Sequence, residues 1–259
     1  MSAKEWKINW EEEFKRDYSV EKFQEVDHYW WKDCYDQIEE FVLKNVPLDK
    51  KSELLECGCG SGNSSLRLAH LVKRVILLDF SDAALSCARK LAYYHGAENV
   101  EFIKGDAFSL PFQDNQFDFC WNIGVIEHYN FEGAKKIVRE MLRVVKDGGR
   151  IIIGTPNFMS LPVIKARLLS FKILMPLTFW IKGYRAKDEI EYNLKDLKNL
   201  IFLASKENKA RLDKVSYCYI GSILPVETPG FIFAKVNRFL SRIFSRFSFL
   251  ILISAKVEK

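Results

Sequence analysis

Three places in this 259-residue chain hold residue types that could bind a nucleoside. The first is the run Glu56-Cys57-Gly58-Cys59-Gly60-Ser61-Gly62. Glycines at alternate positions permit a tight turn and let a ligand approach bare backbone. A helix starting just beyond would add unpaired N–H groups. The second is Asp79, 17 residues past Gly62 and followed by Phe80. A carboxylate at a strand end can accept hydrogen bonds from both ribose hydroxyls. A capping or solvated aspartate is the plainer alternative, although Ser81 and Asp82 already supply a cap. The third is Asp106, in Gly105-Asp106-Ala107. Its carboxylate could accept from an adenine amino group while the Ala107 N–H donates to a ring nitrogen. A turn aspartate after glycine is the competing reading.

The loop itself discriminates between ligands. A dinucleotide site calls for G-x-G-x-x-G, whereas the third place counted from Gly58 is Asn63. The spacing is G-x-G-x-G, with Glu56 ahead of it. A pyrophosphate would be repelled by that acid. A ligand carrying a sulfonium and an amino group would be favoured by it. The loop therefore points to S-adenosylmethionine (SAM) rather than to NAD. An NAD-dependent oxidoreductase, and a SAM-binding regulatory protein without transfer activity, are the rival readings. Past the next apolar run stand Glu127 and His128. His128 could be a general base, or the pair could simply pack the following helix.

These residues must be positioned by alternating strands and helices. Ser52 to Cys57, Val75 to Leu78, Val100 to Ile103, Phe117 to Trp121 and Arg150 to Gly154 read as strands. Between them, Asn63 is expected to cap a helix running through His70, and Ser81 one stopped by Gly96. Phe131 to Val145 reads as a helix ended by Asp147-Gly148-Gly149. This order means βαβ units and a mostly parallel sheet. Ahead of it, residues 1–50 are aromatic and charged. Tyr29, Trp30, Trp31, Tyr35, Ile38, Phe41 and Val42 recur at helical spacing up to Pro47, so the segment reads as an amphipathic helix whose Tyr29, Trp30 and Trp31 could lid a cofactor or simply pack. Behind it come an apolar insertion at 158–193, a helix from Leu194 to Lys206, two closing strands and a basic helix at 231–247.

Bulk properties narrow the class. Apolar residues make up 48% and charged residues 28%, so a buried core is expected. A net charge of +5 is too mild to suggest nucleic acid. Six scattered cysteines without a C-x-x-C pair read as free thiols in a reducing cytoplasm, with no metal site. No apolar stretch approaches the roughly 20 residues of a membrane span. The basic helix, with Lys235, Arg238, Arg242 and Arg246, could touch an anionic membrane or be a solvated face over a packed one.

In sequence order, the glycine loop, Asp79, Gly105-Asp106-Ala107, the run from Leu110 to Asp118 and Gly124-Val125-Ile126-Glu127-His128 resemble the successive motifs of class I SAM-dependent methyltransferases. The similarity is to the broad group that includes ubiquinone and menaquinone methyltransferases, and it covers about residues 50–157. It implies a Rossmann-like, doubly wound α/β sheet of seven strands, the last antiparallel, with helical insertions. It implies that Glu56 and Gly58 line the methionine end, that Asp79 holds the ribose, and that Asp106 and Ala107 hold the adenine. Asn122 and Ile123 would face the methionine, and Cys59, Gly60, Gly62 and Phe80 complete the cofactor set. The insertion at 158–193 would build the site of a small, partly apolar or aromatic acceptor. Methyl transfer by direct displacement needs mainly alignment, so no catalytic residue is assigned beyond the candidates Glu127 and His128.

Overall fold

The computed structural model describes residues 28–170, 189–226 and 228–259. Seven strands form one sheet in the order β3-β2-β1-β4-β5-β7-β6. They are β1 (Glu53–Cys57), β2 (Arg74–Asp79), β3 (Val100–Lys104), β4 (Phe117–Ile123), β5 (Val145–Pro156), β6 (Arg211–Ile220) and β7 (Leu250–Glu258). β7 runs antiparallel to both its neighbours, and every other pairing is parallel. The expected α/β class, strand number and antiparallel last strand are all present.

Helices cover both faces, which is why the central strands read as unbroken apolar runs. Side chains alternate between two cores. Leu54, Val75, Leu77, Phe119 and Trp121 face one, with α1 (Tyr29–Asn45), α2 (Asn63–Leu68) and α3 (Asp82–His95). Leu55, Ile76, Leu78 and Cys120 face the other, with α4 (Phe131–Val144) and α6 (Leu194–Glu207). Short polar side chains cap three of the helices as their types demand. Ser81 accepts from Ala84 N, Asn130 accepts from Gly133 N, and Asn193 with Asp196 forms a capping box.

Several local expectations are corrected. Asn63 does not cap α2. The N-cap is Gly62, at φ 69°, and the helix gives way to a 3-10 turn at Ala69–Leu71. Asn63 is instead buried, with its Oδ1 2.8 Å from His95 Nε2. α4 stops at Val144, because Val145 already pairs with Phe117 and the Asp147-Gly148-Gly149 turn is a bulge inside a 12-residue β5. The basic helix is shorter than 231–247. It is α7, Gly230–Ile243, and Arg246 lies in a separate 3-10 turn, Ser245–Phe247. Of the insertion, Leu161–Ser170 is helix α5, and the rest through residue 188 lies outside the described residues.

α1 is part of the core. Trp30 is 1% exposed, sends its indole N–H to Leu224 O at 2.7 Å, and meets Phe249 edge-on. Residues 1–27 of the expected lid lie outside the described residues. All six cysteines are free, with Cys57 Sγ and Cys120 Sγ 3.5 Å apart. Among the described residues no helix is long and apolar enough to cross a membrane.

Candidate functional site

Strand order reverses between β1 and β4, and the crevice beyond their carboxyl ends is where open α/β sheets bind ligands. The glycine loop leaves β1 there. It is folded back on β2, with Gly58 N and Cys59 N both donating to Leu78 O, at 2.8 and 3.0 Å. Glycine is required twice. A Cβ at Gly58 (φ +70°) would lie 2.6 Å from Val125 Cγ2, and one at Gly62 (φ +69°) 2.5 Å from Leu77 Cδ1. The β4 end is tied to the same loop by Asn122, whose Nδ2 donates to Cys57 O at 2.7 Å and whose Oδ1 is buried without a partner. Ile123, next to it, is half-buried against the α1-side core.

Two carboxylates converge on this loop. Asp79 is buried and accepts from Gly60 N and Ser81 N, each at 2.9 Å, so it fixes the loop's path. Glu56 is 4% exposed. Burial pushes its carboxyl up to about 8, against hydrogen bonds from Ser65 that hold it down, and the nearby Asp79 adds repulsion. Its Oε2 has no hydrogen-bond partner. An acidic oxygen buried beside a bare-backbone turn, with nothing to pair with, suits a ligand that brings a cation or an amino group.

Asp106 follows β3. Its Oδ1 accepts from Phe108 N at 3.0 Å, which is the turn-aspartate arrangement, and Ala107 lies within that turn. Tyr129 lies in the field of both Asp79 and Asp106. Burial pushes its hydroxyl up to about 12, and the charges of Asp106 and Asp79 push the same way, so all three share one neighbourhood. Phe80 is half-buried at the β2 end.

Glu127 and His128 sit in a 3-10 turn, Ile126–His128, just past Gly124. Burial drives the Glu127 carboxyl well above the usual range, with Glu189 adding repulsion. Its Oε2 is unpartnered, and its backbone carbonyl accepts from Ile190 N at 2.7 Å. Burial lowers His128 to about 4, so its imidazole is neutral at physiological pH. Burial thus favours the protonated form of Glu127 and makes His128 a weak base.

The residues that sequence reasoning missed are those that reach the site from the side. Ser65 is fully buried on α2, accepts from Trp121 Nε1 at 2.8 Å and steadies Glu56. Tyr35 of α1 hydrogen-bonds the Asn63 side chain and lies in the field of Glu56. Tyr35 belonged to a recognisable helical stripe. Ser65 and Tyr129 carried no signal beyond their position after a motif.

A family model and a curated relative match this chain. The family described as "Methyltransferase domain" matches residues 55–153. Demethylmenaquinone methyltransferase of Bacillus cereus is 31% identical over 180 residues, covering 67% of this chain and 75% of that protein. Two solved structures share the fold. A chain of the complex between the Haloferax volcanii Trm112 methyltransferase activator and a methyltransferase matches with a TM-score of 0.63 at 16% identity, covering 95% of this chain and 98% of that one. A Thermotoga maritima SAM-dependent methyltransferase matches with a TM-score of 0.58 at 18% identity, covering 92% and 95%. With a carboxylate-flanked glycine turn at the switch point of a 3-2-1-4-5-7-6 sheet, the chain belongs to the class I SAM-dependent methyltransferases.

Proposed function

We propose that this chain binds SAM across the ends of β1 to β4 and transfers its methyl group to a small, partly apolar or aromatic acceptor. The observation that carries the cofactor part is Glu56, a buried carboxyl with an unpartnered oxygen beside bare glycine backbone. Glu56 would hold the amino group, and the loop from Gly58 to Gly62, including Cys59 and Gly60, would line the methionine end. Asp79, already braced by Gly60 N and Ser81 N, would present its remaining lone pairs to the ribose. Asp106, Ala107 and Phe80 would frame the adenine, with Asn122 and Ile123 beside the methionine. Bound SAM supplies a methyl carbon already activated by a sulfonium. The protein's share is alignment and exclusion of water, for which a site walled by buried groups is suited.

The acceptor reading is supported by the likeness to demethylmenaquinone methyltransferase and by the apolar content of the 158–193 insertion. Glu127, whose protonated form burial favours, can donate a hydrogen bond to an acceptor oxygen, and a neutral His128 can accept one. Incubation with methyl-labelled SAM and either a demethylated quinol or fractionated extract tests both parts. Label in the small apolar fraction is the expected result. Tight binding of SAM with no labelled product in any fraction would favour the regulatory reading instead.

A further inference from the structure

α7 is pinned by its inner side. Phe233 is buried against Tyr29, ring centroids 5.0 Å apart. Asn237 is 1% exposed; its Oδ1 accepts from Ile223 N and Leu224 N, and its Nδ2 donates to Asp33 Oδ2. These bonds fix the rotation of the helix, and so what it turns outward. Ile232, Val236, Phe239 and Ile243 recur at helical spacing on the outer side and all are exposed, Phe239 at 63%. Lys235, Arg238 and Arg242, also exposed, form a parallel stripe alongside them. A helix that only covered the core would not keep a second apolar stripe in water.

The stripe continues beyond the helix. Asn157 donates through Nδ2 to Arg246 O and Ser248 O, each at 2.8 Å, which seats the start of α5 against the end of the α7 segment. On that neighbouring element Met159, Leu161, Ile164 and Leu168 are exposed as well. Residues 157–170 and 230–250 contain six Lys or Arg and no Asp or Glu. The four on α7 and the turn after it, Lys235, Arg238, Arg242 and Arg246, are all exposed, while Arg167 on α5 pairs with Glu191. Exposed apolar side chains beside the exposed basic ones of α7 match the two layers of an anionic bilayer surface, acyl boundary and headgroups. The face lies at the same sheet end as the glycine loop, since β5 finishes and β7 begins there.

We propose that α7 and the start of α5 dock this protein on an anionic lipid surface, with the ligand-binding end of the sheet turned toward the bilayer. A soluble acidic partner would meet the charges but leave the aromatic and aliphatic stripe uncovered.

Co-sedimentation of the full chain with phosphatidylcholine vesicles, with and without phosphatidylglycerol, tests this directly. Binding is expected only with phosphatidylglycerol, and should weaken with salt. Arg238→Gln with Arg242→Gln should lower partitioning by about thirtyfold, at roughly fivefold per charge. Phe239→Ser with Ile243→Ser should lower it by roughly tenfold or more with every charge intact. S-adenosylhomocysteine affinity and near-UV circular dichroism, measured on the same samples, should not change, so a failed cofactor reading is distinguishable from a failed docking one. Three results would overturn the proposal: wild-type protein left in the supernatant with phosphatidylglycerol vesicles, undiminished binding by the apolar variant, or a solution dimer that the apolar variant dissociates.

Discussion

Replacing Glu56 by Gln isolates one charge in an otherwise preserved shape. With its carboxyl at about 8, the ligand-free protein at pH 7 holds Glu56 protonated about ten to one. A ligand amino group needs the ionised form. SAM or S-adenosylhomocysteine should therefore displace close to one proton at pH 7. Affinity should climb up to tenfold per pH unit toward 8 and then level off. Glu56→Gln removes the charge-assisted hydrogen bond, worth about 1.5–3 kcal/mol, so Kd should rise by roughly 10- to 150-fold. Stability moves the other way. A carboxyl raised from 4.5 in the unfolded chain to about 8 in the fold favours folding fully below pH 4.5 and loses that advantage as pH rises to 8. At pH 7 the loss is about 3 kcal/mol, and the Gln variant does not suffer it. Calorimetric titration in buffers of different ionisation enthalpy reads the proton, and urea unfolding at pH 5 and 8 reads the stability. The same titration on the variant subtracts the ligand's own ionisations. Undiminished affinity in the variant, with wild-type proton release, would refute the assignment of Glu56.

Three other perturbations bear on separate parts of the argument. Gly58→Ala forces a Cβ against Val125 at positive φ; a cost of about 1–3 kcal/mol and a large loss of S-adenosylhomocysteine binding are expected from urea midpoints and calorimetry. His128, at about 4, is neutral throughout pH 5.5–8, so kcat should show no inflection from it there. A wild-type inflection near pH 6.5 that His128→Gln abolishes would contradict the burial argument. Trp30→Ala empties a fully packed position and orphans the Leu224 carbonyl. It should cost about 3–5 kcal/mol by denaturant unfolding, and a cost under about 1 kcal/mol would mean that α1 is not core.

Some of this was legible in the chain because the signals are local. The glycine spacing, the carboxylates after three strands and the alternation of apolar runs with Ser81- and Gly96-type caps follow from backbone rules that act within a few residues. The sheet could be read from them, and so could the residues proposed for the donor site. Asn63 was misread because a short polar residue at a helix start usually caps, and here Gly62 takes that place and frees Asn63 to reach His95.

The sequence by itself determined the fold class and the family, since both rest on periodicity and on residue types at fixed offsets. Only the tertiary structure decided how those residues are charged and which way the surface faces. Glu56 and Glu127 are raised by burial, a property of everything packed around them and not of their neighbours in the chain. Ser65 and Tyr35 join the site from α2 and α1, across distances no local rule spans. The outward stripe of α7 likewise looked like half of an ordinary amphipathic helix. Asn237, bonded to Asp33 across 204 positions of sequence, turns that stripe toward solvent.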